Sequence, residues 1–127
     1  MAYGYKVVKV YGGDHPFLGS ITSYPGFPVN IYTPGEKTTK VEGNGPLAVW
    51  ESLDDAKAML PGVGARYQPE IYRVYKCRYK KSKYDSLWII NHSKTMAWTV
   101  QPEYVPAGTA FADYVILNKK PVVTSTT

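Results

Sequence analysis

The sequence predicts an α+β protein whose mainly antiparallel sheet, curved or split into a β-sandwich, contains seven to nine short strands and carries one short helix. Composition favours strands joined by turns, because the 127 residues include 12 Tyr, 10 Pro and 11 Gly. The 44% hydrophobic content is typical of a soluble globular chain. We expect one domain over residues 1–120 and a polar C-terminal tail over residues 121–127. A partner for this tail is expected either within the chain or in another molecule, where the tail would be an assembly contact.

Strands are predicted in the first half of the chain wherever Val and Tyr are concentrated between turn residues. The first spans residues 5–11 and ends at a Gly-Gly-Asp turn, and its expected partner spans residues 17–24. Residues 29–32 and 37–41 flank Thr33-Pro34-Gly35-Glu36, where Pro and Gly suit the two central positions of a type II turn. We therefore expect these two segments to form a hairpin.

One helix is predicted over residues 52–60, directly after a short apolar strand at residues 47–50. Ser52 is placed to cap this helix, and Asp54 and Asp55 lie in its first turn, where carboxylates favour the positive end of the helix dipole. A Pro-Gly pair ends the helix. Its apolar residues recur on one face, so we expect it to pack on the sheet.

Four further strands are predicted in the second half of the chain. A long basic strand spans residues 70–80, and shorter strands span residues 87–90 and 95–100. The last strand spans residues 111–117 and follows a Pro-Ala-Gly-Thr turn.

The long basic strand and the residues that follow it are the most informative part of the sequence. Six cations are interspersed with four tyrosines between Ile71 and Tyr84, and no acidic residue occurs before Asp85. A strand cannot bury so many charges, so part of it must face water or an anionic partner. We predict that it binds nucleic acid or an acidic protein surface, with cations on phosphates and tyrosine rings on bases. The residues assigned to this site are Arg73, Lys76, Arg78, Lys80, Lys81 and Lys83, together with Tyr75 and Tyr79.

The pleat of a strand divides these cations between two faces, because successive side chains point in opposite directions. One face is expected to hold Arg73, Lys81 and Lys83, and the other Lys76, Arg78 and Lys80. An alternative interpretation is an edge strand, whose lysines discourage pairing with other chains.

Cys77 is the only cysteine, which excludes an intrachain disulfide and a cysteine-based zinc cluster. A reducing, cytoplasmic setting is therefore expected, and no apolar run approaches the ~20 residues needed to span a membrane. Cys77 is expected to be a small buried thiol, the alternative being a nucleophile served by His15 or His92. The acidic residues and histidines show no metal-ligand spacing, so neither a metal nor another cofactor is expected.

Two segments resemble parts of the mono-ADP-ribosyltransferases. Residues 47–59 form a strand that leads through Trp-Glu-Ser into the capped helix, and Gln101-Pro102-Glu103 precedes a Pro-Ala-Gly-Thr strand, where the family has a Gln-x-Glu or Glu-x-Glu pair. The resemblance implies an enzyme acting on NAD, in which Glu103 would bind the nicotinamide ribose and Gln101 would orient the acceptor. Ser52 stands at the last place of the family's Ser-Thr-Ser strand, whereas the first strand offers only lysines in place of the family's Arg or His. This transferase is the alternative to a non-enzymatic binding protein.

The order of elements also resembles that of small, uncharacterised α+β proteins encoded by phages. The features that carry the resemblance are, in chain order, a Tyr-Lys-Val start, Gly45-Pro46 before a short strand and helix, a tyrosine-rich strand, and Ala107-Gly108-Thr109 before the last strand. The resemblance implies an accessory or defence-related viral role in the host cytoplasm, and it supplies no site residues.

Overall fold

A computed structural model describes residues 1–12, 14–20, 30–60, 70–90, 97–100 and 105–126, with only the backbone for residues 89, 90, 97–100 and 126. These residues form ten strands and one helix, and the three long strands are rich in β-branched and aromatic residues, which favour extended backbone. The elements are β1 (Ala2–Tyr11), β2 (Phe17–Ser20), β3 (Ile31–Tyr32), β4 (Lys37–Thr39), β5 (Leu47–Trp50), α1 (Leu53–Ala58), β6 (Ile71–Lys81), β7 (Leu87–Ile90), β8 (Ala97–Val100), β9 (Thr109–Leu117) and β10 (Val123–Thr126).

Strands β1, β6, β9 and β5 close into a small barrel. β6 pairs antiparallel with β1 on one edge and with β9 on the other. β5 pairs with β9 over its whole length and with β1 through Tyr5 and Trp50, which closes the ring. The predicted α+β class with mainly antiparallel strands is confirmed, but the sheet closes on itself and is neither an open curved sheet nor a split sandwich.

The closure between β1 and β5 depends on a glycine at position 4. A Cβ atom on Gly4 would lie 2.8 Å from the carbonyl oxygen of Trp50 and 2.8 Å from Cγ1 of Val49, closer than real side-chain carbons approach. A larger residue would hold the two strands apart. The sequence pattern shows which residues favour a strand but not which strand edges meet, and for this reason the closed ring was not predicted.

The remaining strands extend the wall of the barrel or lie beside it. β2 pairs with β1, β3 with β2, β4 with β9 and β10 with β6, while β7 and β8 form a separate two-stranded sheet.

The predicted turn between β3 and β4 forms, but the predicted hairpin does not. The amide of Glu36 donates to the carbonyl oxygen of Thr33 at 3.0 Å, and Gly35 has a φ of 86°, as a type II turn requires. β3 nevertheless pairs with β2, and β4 pairs with β9. The backbone twist of a type II turn does not match that of two paired strands, so the flanking segments diverge to different neighbours.

The predicted polar tail belongs to the sheet. Val123–Thr126 pairs with Ile71–Val74 of β6, and the amide of Val122 donates to the carbonyl oxygen of Val74 at 2.8 Å. Val123 also packs against the side chains beneath α1. The partner that holds this segment in place is therefore within the chain, in contrast to the predicted domain end at residue 120.

Two groups of buried side chains stabilise the barrel. The larger group fills the interior and includes Val8, Val49, Tyr75, Val115 and Leu117. The second group lies outside the barrel wall, where Ala56 of α1 packs with Val7, Trp50 and Val74. Strand β1 contributes to both groups because its alternate residues point to opposite sides of the wall.

α1 begins at the predicted cap. Ser52 has extended backbone, its Oγ accepts a hydrogen bond from the amide of Asp55 at 3.1 Å, and its hydroxyl donates to Oδ2 of Asp55 at 2.8 Å. We expect Ser52→Ala to lower the free energy of unfolding by about 1 kcal/mol, because a first-turn amide loses its acceptor, and Ser52→Gly to lower it by only a few tenths. Urea unfolding of the three proteins measures both differences. An alanine variant as stable as the parent would show that Ser52 does not cap the helix.

Candidate functional site

The basic strand β6 has neighbours on both edges. Between Ile71 and Val74 it lies between β1 and β10, from Cys77 to Tyr79 it lies between β1 and β9, and its last two residues pair with β9. The carbonyl oxygen of Lys76, between these two regions, accepts a hydrogen bond from the amide of Asn118 at 2.9 Å. The interpretation of β6 as an edge strand protected by its lysines is therefore wrong.

The side chains of β6 alternate between the barrel interior and the outside, as the pleat predicts. Tyr75 and Tyr79 are each 2% exposed, and Cys77 between them is fully buried. The alternate residues Lys76, Arg78 and Lys80 are exposed. The outer face of β6 thus holds the three predicted cations together.

The other predicted site residues are not part of this outer cluster. Arg73 pairs with Val8, a residue of the barrel core, and is half-buried. Lys83 follows the end of β6, and its Nζ lies 5.2 Å from the centroid of the Tyr84 ring. Tyr75 and Tyr79, which were predicted to stack on bases, belong to the core instead, because they occupy the inward positions of the same alternation.

Neighbouring strands place other side chains in register with the three cations. Directly opposed residues of an antiparallel pair share a face of the sheet. On β1, Tyr3 pairs with Arg78 and Tyr5 with Lys76; on β9, Ile116 pairs with Arg78 and Tyr114 with Lys80. β4 adds Lys37 beside Ile116 and Thr39 beside Tyr114. We call this surface the basic face, and its members are Tyr3, Tyr5, Lys37, Thr39, Lys76, Arg78, Lys80, Tyr114 and Ile116.

The basic face has four cations and no acidic member. Within the part of the chain that the structure describes, an ion pair joins Lys9 to Glu70 at 2.7 Å, and none involves a cation of the basic face. Lys37 instead lies over an aromatic ring, with its Nζ 4.4 Å from the centroid of Tyr114. Four cations without carboxylate partners give this surface a positive potential.

A second unusual feature is a lysine enclosed by the barrel. Lys6 is 6% exposed, and its Nζ donates to the carbonyl oxygen of Ala48 across the seam between β1 and β5. The same atom lies 5.1 Å from the ring centroid of Tyr32 and 5.7 Å from that of Trp50. Burial lowers the pKa of Lys6 to about 8, because the charged ammonium loses its hydration. In the sequence Lys6 is one of the first-strand lysines, and the signal that places it on the inward face is its even position, shared with Val8.

The groups around Lys6 are also affected by burial. Burial raises the pKa of the Cys77 thiol to about 11, against the opposing effects of the Lys6 charge and of a hydrogen bond from the Gly4 amide. Burial likewise raises the pKa of Tyr32. A thiol that keeps its proton is a poor nucleophile, so the environment of Cys77 agrees with the predicted buried structural role.

The residues of the transferase alternative are only partly described. Ser52 caps α1, and Lys6 is enclosed in the barrel. Gln101 and Glu103 lie outside the described residues, as does His92. The transferase alternative and its use of NAD remain predictions.

The buried ammonium predicts a specific pH dependence of stability. Because the folded-state pKa of Lys6 lies below its ordinary value of 10.5, the folded protein binds fewer protons than the unfolded chain between about pH 8 and 10.5, and the Lys6 contribution becomes more favourable as the pH rises. The contribution of the Cys77 thiol to stability becomes less favourable between about pH 9 and 11, because its pKa is raised in the folded protein. The effect of Lys6 is therefore measured as the difference in stability between a Lys6 variant and the parent. Lys6→Met should be more stable than the parent at pH 7, by up to about 3 kcal/mol, and this advantage should shrink towards pH 10.

Urea unfolding at several pH values between 7 and 10 measures the difference between Lys6→Met and the parent. Lys9→Met is the matched control, because it removes a lysine of the same strand whose ammonium contacts Glu70 outside the barrel. A difference for Lys6→Met that is equal at pH 7 and pH 10 would contradict a buried ammonium.

Comparisons with known proteins give no relative for this chain. No protein-family model, no curated protein and no solved structure matches it. Among the described residues, no helix is long and apolar enough to cross a membrane, and no group of three or more His, Cys, Asp or Glu side chains is placed to hold a metal ion. The function of the basic face is therefore inferred from its geometry and charge.

Proposed function

We propose that this protein binds single-stranded nucleic acid through the basic face, as a binding protein and not as an enzyme. The observation that supports this most strongly is the row formed by Lys76, Arg78 and Lys80. These three cations are exposed on one side of a strand whose two edges are both paired.

The spacing within this row suits a chain of phosphates. Alternate residues of a strand are separated by about 6.8 Å, so the three cations form a line along the outside of β6. Because β6 is held between β1 and β9, the backbone beneath this line does not need to become ordered when a ligand binds. A fixed row of cations therefore favours an extended polyanion.

Aromatic rings beside the row favour nucleic acid over an acidic protein surface. Tyr3 is 64% exposed and pairs with Arg78, while Tyr114 pairs with Lys80 and is partly exposed. Exposed rings next to cations offer stacking to bases at the same time as the cations contact phosphates. An acidic protein surface would use the charges but would gain little from the rings.

The same arrangement favours a single strand over a duplex. Bases within a duplex are stacked on one another, so a sheet face with tyrosine rings reaches mainly its phosphates. Unpaired bases are free to lie on Tyr3 or Tyr114, whereas Tyr5 is half-buried and packs against the cluster beneath α1. A surface that combines both kinds of contact should therefore bind single strands more tightly than duplexes of the same length.

The charge-reversed variant with Lys76→Glu, Arg78→Glu and Lys80→Glu tests this proposal. We expect it to lose binding to a fluorescent single-stranded oligonucleotide at low salt, because three phosphate contacts become repulsive. For the parent protein, four cation contacts predict a slope of about −3 in a plot of log affinity against log salt concentration. Fluorescence anisotropy titrations with DNA and RNA oligonucleotides at several salt concentrations measure both quantities.

A matched control carries Lys57→Glu, Lys119→Glu and Lys120→Glu. Each reversal changes the charge by two, so both triple variants go from a formal charge of +5 to −1. All three control residues are exposed and lie outside the basic face. Equal losses in the two variants would indicate an unspecific effect of net charge. A parent protein that binds no oligonucleotide at low salt would refute the proposal and leave an acidic protein as the partner of this surface.

A further inference from the structure

The basic face ends at a groove, and we propose that this groove holds one nucleotide, with its phosphate between Lys80 and Lys81. The inference rests on the proposed function, since it assigns a subsite to the same surface. The groove has a volume of about 600 Å³ and is lined by Met1, Ala2, Tyr79, Lys80, Lys81 and Tyr114. This volume is within the range of clefts that bind small molecules.

Two consecutive lysines line one groove beside a β-bulge. In a regular strand, neighbouring side chains point to opposite sides of the sheet. The register between β6 and β9 shifts at this point: Lys80 pairs with Tyr114, whereas Lys81 pairs with Ala112, so that Asp113 is passed over. The extra residue belongs to β9, and a bulge bends the strand that carries it and increases the local twist of the paired strands. Both ammonium groups are exposed, and each can contact the same anion from a different side of the strand end.

The other lining residues provide apolar and aromatic surface for a base. Ala2 is the register partner of Tyr79, and both residues line the groove, although the tyrosine side chain itself is almost fully buried. Tyr114 forms a partly exposed aromatic wall.

These features together indicate a nucleoside phosphate as the ligand. Two lysines recognise the phosphate, because charge-assisted hydrogen bonds are the strongest contacts available at an exposed site. The tyrosine wall recognises the base by stacking. Inorganic phosphate lacks the base and adenosine lacks the charge, so each should bind more weakly than adenosine monophosphate.

Titration of the full chain with adenosine monophosphate, adenosine and inorganic phosphate, followed by NMR, tests the inference. We expect adenosine monophosphate to bind most tightly, and Lys81→Ala to weaken it about tenfold through the loss of one charge-assisted hydrogen bond. Lys83→Ala is the matched control, because Lys83 lies beyond β6 and does not line the groove. Equal affinity of Lys81→Ala and the parent for adenosine monophosphate would overturn the inference, as would equal binding of inorganic phosphate.

A second variant separates the groove from the rest of the basic face. Lys76→Glu with Arg78→Glu changes the row but leaves every residue that lines the groove. This variant should lose oligonucleotide binding and retain adenosine monophosphate. Loss of oligonucleotide binding here, combined with no effect of Lys81→Ala on adenosine monophosphate, would refute the groove and support the proposed function. Oligonucleotide binding that this variant retains, combined with weaker binding of adenosine monophosphate by Lys81→Ala, would refute the proposed function and support the groove.

Discussion

The pairing of β6 on both of its edges fixes the directions of its side chains, and with them the positions of the core and of the candidate site. Once β1 and β9 fix this strand, its side chains have only two directions available, inward or outward. The interior is filled by Tyr75, Cys77 and Tyr79. The alternate positions, which point outwards, hold Lys76, Arg78 and Lys80. The core and the candidate site are therefore two sides of one alternating sequence, and a register slip of one residue would bury the cations and expose the tyrosines.

Closure of the barrel sets a second condition at the opposite wall, where β5 meets β1. Gly4 allows the strands to approach, and Lys6 donates across the same seam to Ala48. The burial of an ammonium is unfavourable for stability unless polar or aromatic partners offset the loss of hydration. The rings of Tyr32 and Trp50 and the carbonyl group of Ala48 provide such partners here. The seam thus combines tight backbone contact with a group whose charge changes near pH 8.

Local features of this chain were predictable from its sequence, and the contacts between distant segments were not. The cap at Ser52, the turn at Gly35 and the alternation along β6 each depend on residues close together in the chain, and the structure confirms them. The hairpin and the curved sheet or split sandwich were wrong, and the pairing of the C-terminal segment with β6 was not predicted, because each depends on which strand edges meet. The same limit applies to the site: the cations were identified, but their aromatic neighbours Tyr3 and Tyr114 come from β1 and β9 and are not the tyrosines of β6.

Amide chemical shifts of the protein show directly whether the outer side of β6 and its neighbours form the binding surface. The experiment titrates isotopically labelled protein with an unlabelled single-stranded oligonucleotide. We expect saturable shifts that are largest at Tyr3, Tyr5, Arg78 and Tyr114, with little change in α1 on the other part of the wall. Shifts concentrated in α1 or β10 would show that the oligonucleotide binds elsewhere on the protein. Scattered shifts that do not saturate would show that it has no defined binding surface.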